Sequence, residues 1–102
     1  MEIIETEAPI LTVLIEGMTT YYVVIEGAAA DMIRVAAMTG QWLEGKRGFG
    51  SARITATIGE TRWQTSVFPH KASGGWFLPV KAAVRKAEGL VEGALTTISI
   101  AL

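Results

Sequence analysis

The stretch from Ser51 to Phe68 constrains the fold more than any other part of the chain. Two runs of alternating residues flank Gly59-Glu60, a two-residue link with glycine first, which suits a type II′ turn between antiparallel strands. Side chains alternate across a strand with a period of two, so one register keeps the two faces distinct. Setting Ile58 against Thr61 puts Ala56 opposite Trp63, Ile54 opposite Thr65 and Ala52 opposite Val67, a mostly apolar face expected to meet the core. The other face pairs Thr57 with Arg62, Thr55 with Gln64, Arg53 with Ser66 and Ser51 with Phe68. It is polar and carries two guanidinium groups and one aromatic ring.

Around this hairpin the chain reads as further short strands and two helices. Ile10 to Ile15 and Tyr21 to Ile25 are rich in β-branched and aromatic residues and are expected to pair across a Gly17-Met18-Thr19-Thr20 turn. Trp76 to Pro79 and Leu95 to Leu102 complete the strands. Ala28 to Met38 has Met32, Ile33, Ala36 and Ala37 at core-facing spacings, with Gly40 placed to stop a helix. Val80 to Glu88 follows Pro79 and is closed by Gly89, with Val80, Ala83, Val84 and Ala87 on one stripe. Strand, helix, glycine, strand thus occurs twice, a weak internal repeat. The expected fold is mainly β: a single small closed or partly open β-barrel of six to seven strands with two short α-helices, residues 1–102 forming one domain. A chain of 102 residues buries roughly two thirds of its unfolded surface, enough for a core without staples.

Composition closes several classes of chemistry. With no Cys and one His there is no disulfide framework, zinc-thiolate site, thiol nucleophile or multi-histidine cage, so no metal and no cofactor is expected. The longest run without charge, Gly93 to Leu102, is ten residues, half of the ~20 that span a bilayer. The opening Met1-Glu2-Ile3-Ile4-Glu5 lacks a basic n-region. A cytoplasmic protein with no membrane role is expected. Charge is divided: Met1 to Gly45 has Arg34 against seven acids, and Lys46 to Glu88 has eight bases against Glu60 and Glu88. Such halves either neutralise one another in the fold, the favoured reading, or present an anion-binding face.

From Arg47 to the C-terminus the residues resemble the domain of unknown function 1905 family of small bacterial barrels. The marks are GFG at Gly48 to Gly50, TS-x-FP at Thr65 to Pro69, FLPVK at Phe77 to Lys81, Val84-Arg85, and GL-x-EG at Gly89 to Gly93. The resemblance implies a six- or seven-stranded barrel with two helices and no established activity. Some relatives look like the front half of longer proteins linked to bacteriocin protection. Trp76 to Ile100 also resembles, more weakly, the AbrB-type swapped-hairpin barrels.

The site expected from the residues joins Arg53, Arg62, Gln64 and Ser66 of the hairpin with Phe68, Trp76, Lys81 and Arg85. Positive charge beside stacking surface suits a small anionic ligand, a short single strand or an acidic protein segment. Duplex DNA is disfavoured, since nothing resembles a recognition helix. Arg85 has an equal claim to a structural ion pair with Glu26 or Glu44. Trp63 is expected in the core, Trp42 and Trp76 either there or against a ligand. Lys46 to Ser51 reads as a tight turn before a phosphate nest. His70 is expected as a solvated loop residue, though with Ser66 or Ser73 and Asp31 it is the one candidate general base. No catalytic residue is assigned. The expected function is a non-enzymatic binding module for a small anionic ligand or a protein partner. The alternative is a small hydrolase or isomerase using His70 or paired carboxylates. A mean hydropathy of +0.37 adds a homodimer as a further expectation.

Overall fold

The hairpin forms in the expected register, Ala52 opposite Val67 through Ile58 opposite Thr61. Gly59 has φ +59° and Glu60 does not share it, which fits the type II′ geometry. Ile54, Ala56, Ile58, Trp63 and Val67 are buried on one face, while Arg53, Arg62 and Gln64 are exposed on the other. The computed structural model describes residues 3–44 and 51–102. In chain order it contains β1 (Ile3–Pro9), β2 (Leu11–Ile15), β3 (Met18–Ile25), α1 (Gly27–Glu44), β4 (Ala52–Ile58), β5 (Thr61–His70), β6 (Gly75–Pro79), α2 (Ala82–Glu88) and β7 (Leu95–Ala101).

The seven strands form one curled sheet in the order β1-β7-β4-β5-β6-β3-β2. Two bent stretches curl it. β5 pairs with β4 as far as Val67 and with β6 from Phe68 onward, so it passes from one half of the sheet to the other. β1 and β2 are separated by Ile10 alone, which is fully buried. Its N–H donates to the Ala94 carbonyl (2.9 Å) and its carbonyl accepts the Gly93 N–H (2.8 Å). Both outer strands of the sheet therefore come from one bent segment, and they pair with β7 and β3 rather than with each other. The result is a partly open barrel. Its core is lined by Val23, Ile25, Leu78, Ile98 and Ile100, and Ile33 of α1 and Val84 of α2 enter it. The repeat in the sequence is realised as β3-α1-β4 and β6-α2-β7, with β3 pairing β6 and β4 pairing β7, both antiparallel.

Several local expectations are corrected. β2 and β3 join through Glu16-Gly17, with φ +51° and +81°, a two-residue turn in which both residues are left-handed; Met18 to Thr20 belong to β3. β1 was absent from the expected elements. Only Ala8 of its seven residues is buried, so its apolar signal is weak. α1 runs through Gly40 to Glu44, because an internal glycine costs only about 1 kcal/mol. Of the expected core-facing residues Ile33 is fully buried and Met32, Ala36 and Ala37 are half-buried, and among the described side chains Ala29 and Ala30 extend the buried stripe a turn earlier. α2 begins after Lys81 rather than at Val80, Ala83 and Ala87 are exposed, and Gly89 closes the helix at φ +64° as expected.

Candidate functional site

The eight residues of the expected site fall into three places. Arg53, Arg62, Gln64, Ser66 and Phe68 do share the outer face of the β4–β5 hairpin. Arg53 Nη1 lies 3.4 Å from Ser66 Oγ. Arg62 and Gln64 line a shallow depression of about 330 Å³ with Thr55 and Ala101. Phe68 is 45% exposed and stands opposite Phe77, which stacks on Tyr22 with ring centroids 4.4 Å apart.

Trp76 does not join this face. Odd and even residues of β6 point to opposite sides, and Trp76 pairs with Pro69 on the inner side. It is buried, and its indole N–H donates to the Ala30 carbonyl of α1 at 3.0 Å. Lys81 and Arg85 lie elsewhere again, at the start of α2. Lys81 is exposed, and its carbonyl accepts the Arg85 N–H at 3.1 Å. Among the described residues Arg85 has no ion pair with Glu26, and its side chain is half-buried. Its Nε donates to the Val80 carbonyl (3.1 Å) and its guanidinium carbon sits 3.7 Å from the centre of the Tyr21 ring, a cation–π contact. Among the described residues the ion pair found is Arg34–Asp31, at 2.7 Å, within the acidic half, and none of those described joins the two halves. The side chains of Trp42 and Glu44 and the segment Lys46 to Gly50 lie outside the described residues.

A different group of residues converges on a cavity of about 370 Å³ between α1 and the β5–β6 turn. Arg34, Ala37 and Met38 come from α1, and His70, Lys71 and Trp76 from the turn and its flanking strands. The turn is well fixed. The Ser73 and Gly74 N–H groups donate to the His70 carbonyl at 3.2 and 2.9 Å, and the Gly75 N–H donates to Ser73 Oγ at 3.1 Å. Ser73 Oγ is also 2.8 Å from His70 Nδ1. Arg34 ties the helix to the turn, since Nη1 donates to Asp31 Oδ1 (2.7 Å) and Nη2 to the Gly74 carbonyl (2.8 Å). Three basic side chains thus meet over an apolar wall. His70, expected as a solvated loop residue and the one candidate general base, is the half-buried last residue of β5; Arg34 and Lys71 carry no role in the expected site. The one signal for Arg34 was that it is the lone base among the first 45 residues.

Asp31, the acid considered for His70, is engaged by Arg34. Among the described residues no three His, Cys, Asp or Glu side chains are grouped to hold a metal ion. No helix there is long and apolar enough to cross a membrane. No curated protein matches the chain. A family model described as "Domain of unknown function (DUF1905)" matches residues 7–100, which takes the likeness well into the first half, beyond the motifs that begin at Arg47. The curled seven-stranded sheet with its two helices is accordingly the fold of a member of that family, to which the chain belongs.

Proposed function

We infer that the protein is a non-enzymatic binding module, working in the cytoplasm, that takes a small anionic ligand in the cleft between α1 and the β5–β6 turn. The observation that carries this reading is the convergence of Arg34, His70 and Lys71 on one cavity whose remaining wall is largely apolar. Its volume is within the usual range for small-molecule sites, which begins at roughly 300 Å³. Two of the Arg34 donors are engaged by Asp31 and Gly74, which hold the guanidinium in place and leave other donors for a carboxylate or phosphate. The absence of cysteine agrees with a reducing compartment.

The test is a thermal-shift series with inorganic phosphate, citrate and benzoate on the wild type and Lys71→Ala. Lys71 is exposed, so its loss leaves the ligand-free melting temperature unchanged. At least one anion should raise the wild-type melting temperature, by about 2.7 kcal/mol of stabilisation at a hundredfold excess over Kd, and Lys71→Ala should weaken the shift. No shift with any of the three would overturn the reading.

One observation favours a second reading, a hydrolase: His70 Nδ1 and Ser73 Oγ are 2.8 Å apart, as in a base–nucleophile pair. That hydroxyl already accepts the Gly75 N–H, which makes it part of the turn. Turnover of p-nitrophenyl acetate that both Ser73→Ala and His70→Ala abolish would establish the hydrolase.

A further inference from the structure

Ile3, Phe68 and Leu95 are exposed singly along the sheet, but four exposed apolar side chains are gathered at one hairpin. Val13, Leu14, Ile15 and Met18 are 38%, 70%, 47% and 72% exposed, and all lie at the turn end of the β2–β3 hairpin. β2 is the last strand on its side of the sheet. Ile15 and Met18 close a two-residue turn, so they exchange backbone hydrogen bonds, and alternation assigns the polar groups of Val13 and Leu11 to β3 as well. The N–H and C=O of Thr12 and Leu14 face away from β3. Ile10, in the same phase, confirms the direction: its backbone is bonded to Gly93 and Ala94. From Leu11 to Ile15 the strand has no lysine, proline or charged residue of its own of the kind that blocks strand addition; the Glu92 carboxylate, which accepts the Thr12 hydroxyl at 3.0 Å, limits the free, uncharged edge to Val13 through Ile15.

We propose that this edge pairs with the same edge of a second copy, antiparallel about a twofold axis, so that the sheet continues across a dimer. Gly93 and Ala94 already occupy the edge beside Ile10, which sets the register toward the turn. Centred on Leu14, it places Leu14 against Leu14 and Val13 against Ile15 of the other copy, apolar on apolar. The occupant is a second copy because the segment is uncharged and is its own antiparallel complement, the self-complementarity a twofold contact requires. The four side chains expose on the order of 400 Å² per copy, so the pair buries at most roughly 800 Å² of them, against about 1,200 Å² at the lower end of specific interfaces. The dimer is therefore weak and forms with concentration. It does not depend on the ligand cleft, to which none of these residues belongs.

Sedimentation equilibrium of the full chain, over a concentration series reaching the millimolar range, tests the pairing. The wild type should rise toward dimer mass, and Leu14→Lys should stay at monomer mass with the same circular-dichroism melting curve. Mixing Leu14→Lys with Leu14→Glu should restore the dimer, since the two side chains face each other. A wild type that is monomeric throughout, a dimer that survives Leu14→Lys, or a mixture that stays monomeric would each overturn the proposal.

Discussion

Gly75 opens β6 directly beneath β3, and a Cβ placed on it would run into the Ile25 carbonyl. The obstacle is backbone, not the movable end of a side chain. Ile25 pairs with the next residue, Trp76, so neither strand can retreat without breaking the ladder that seats the Trp76 indole against Ala30. Gly75 also carries the N–H that Ser73 Oγ accepts, which ties this position to the cleft. Gly75→Ala should therefore cost about 1–3 kcal/mol, the range for forcing a methyl into a packed site. In a domain of this size that lowers the melting temperature by roughly 4–8 °C per kcal/mol. Urea denaturation checks it; an unchanged midpoint would mean that β3 and β6 have room to part.

At the scale of elements, α2 shows how a seven-residue helix is held. It buries Val84 as its one fully enclosed side chain, and its N-cap Lys81 makes no side-chain cap bond. Arg85 adds to this by bonding Val80 and covering Tyr21, and Glu88 by accepting the Thr61 hydroxyl of β5. Arg85→Ala should cost about 1–2 kcal/mol, as a partly exposed cation–π contact and one hydrogen bond allow, and less than the 3–5 kcal/mol of stranding a buried acid. A double-mutant cycle with Tyr21→Leu should give a coupling of about 0.5–1 kcal/mol; additive losses would assign the effect to the Val80 bond alone. This partner was not legible in the sequence, because Tyr21 and Arg85, far apart in the chain, meet only where the Val80 N–H, just before α2, bonds the Tyr21 carbonyl of β3. The β4–β5 register was legible, since strict alternation and a glycine-first turn leave one solution. β1 was not, since its neighbour β7 rather than its own apolar content makes it a strand. The cleft was missed for a related reason: Arg34, His70 and Lys71 carry no motif spacing and meet only because α1 crosses the barrel beside the β5–β6 turn.

For the whole molecule the divided charge has a measurable consequence. The first 45 residues carry a formal −6 and Lys46 to Glu88 a formal +6, yet among the described residues no ion pair links the halves. The pair that is present, Arg34–Asp31, has side chains 45% and 74% exposed, and exposed pairs contribute about 0–1 kcal/mol. Glu5, Glu88 and Glu92 instead meet the hydroxyls of Ser99, Thr61 and Thr12. The fold accordingly rests on its apolar interior, and the charges are left for the surface. Raising NaCl from about 0.1 to 1 M shortens the screening length from roughly 10 to 3 Å. It should change the unfolding free energy of the ligand-free protein by less than about 1 kcal/mol, while binding of inorganic phosphate in the cleft weakens steeply over the same range. Chemical denaturation and phosphate titration at the two salt concentrations separate these effects. A large loss of stability in salt would mean that attraction between the acidic and basic halves holds the barrel together, and that Arg34 and Lys71 belong to that attraction.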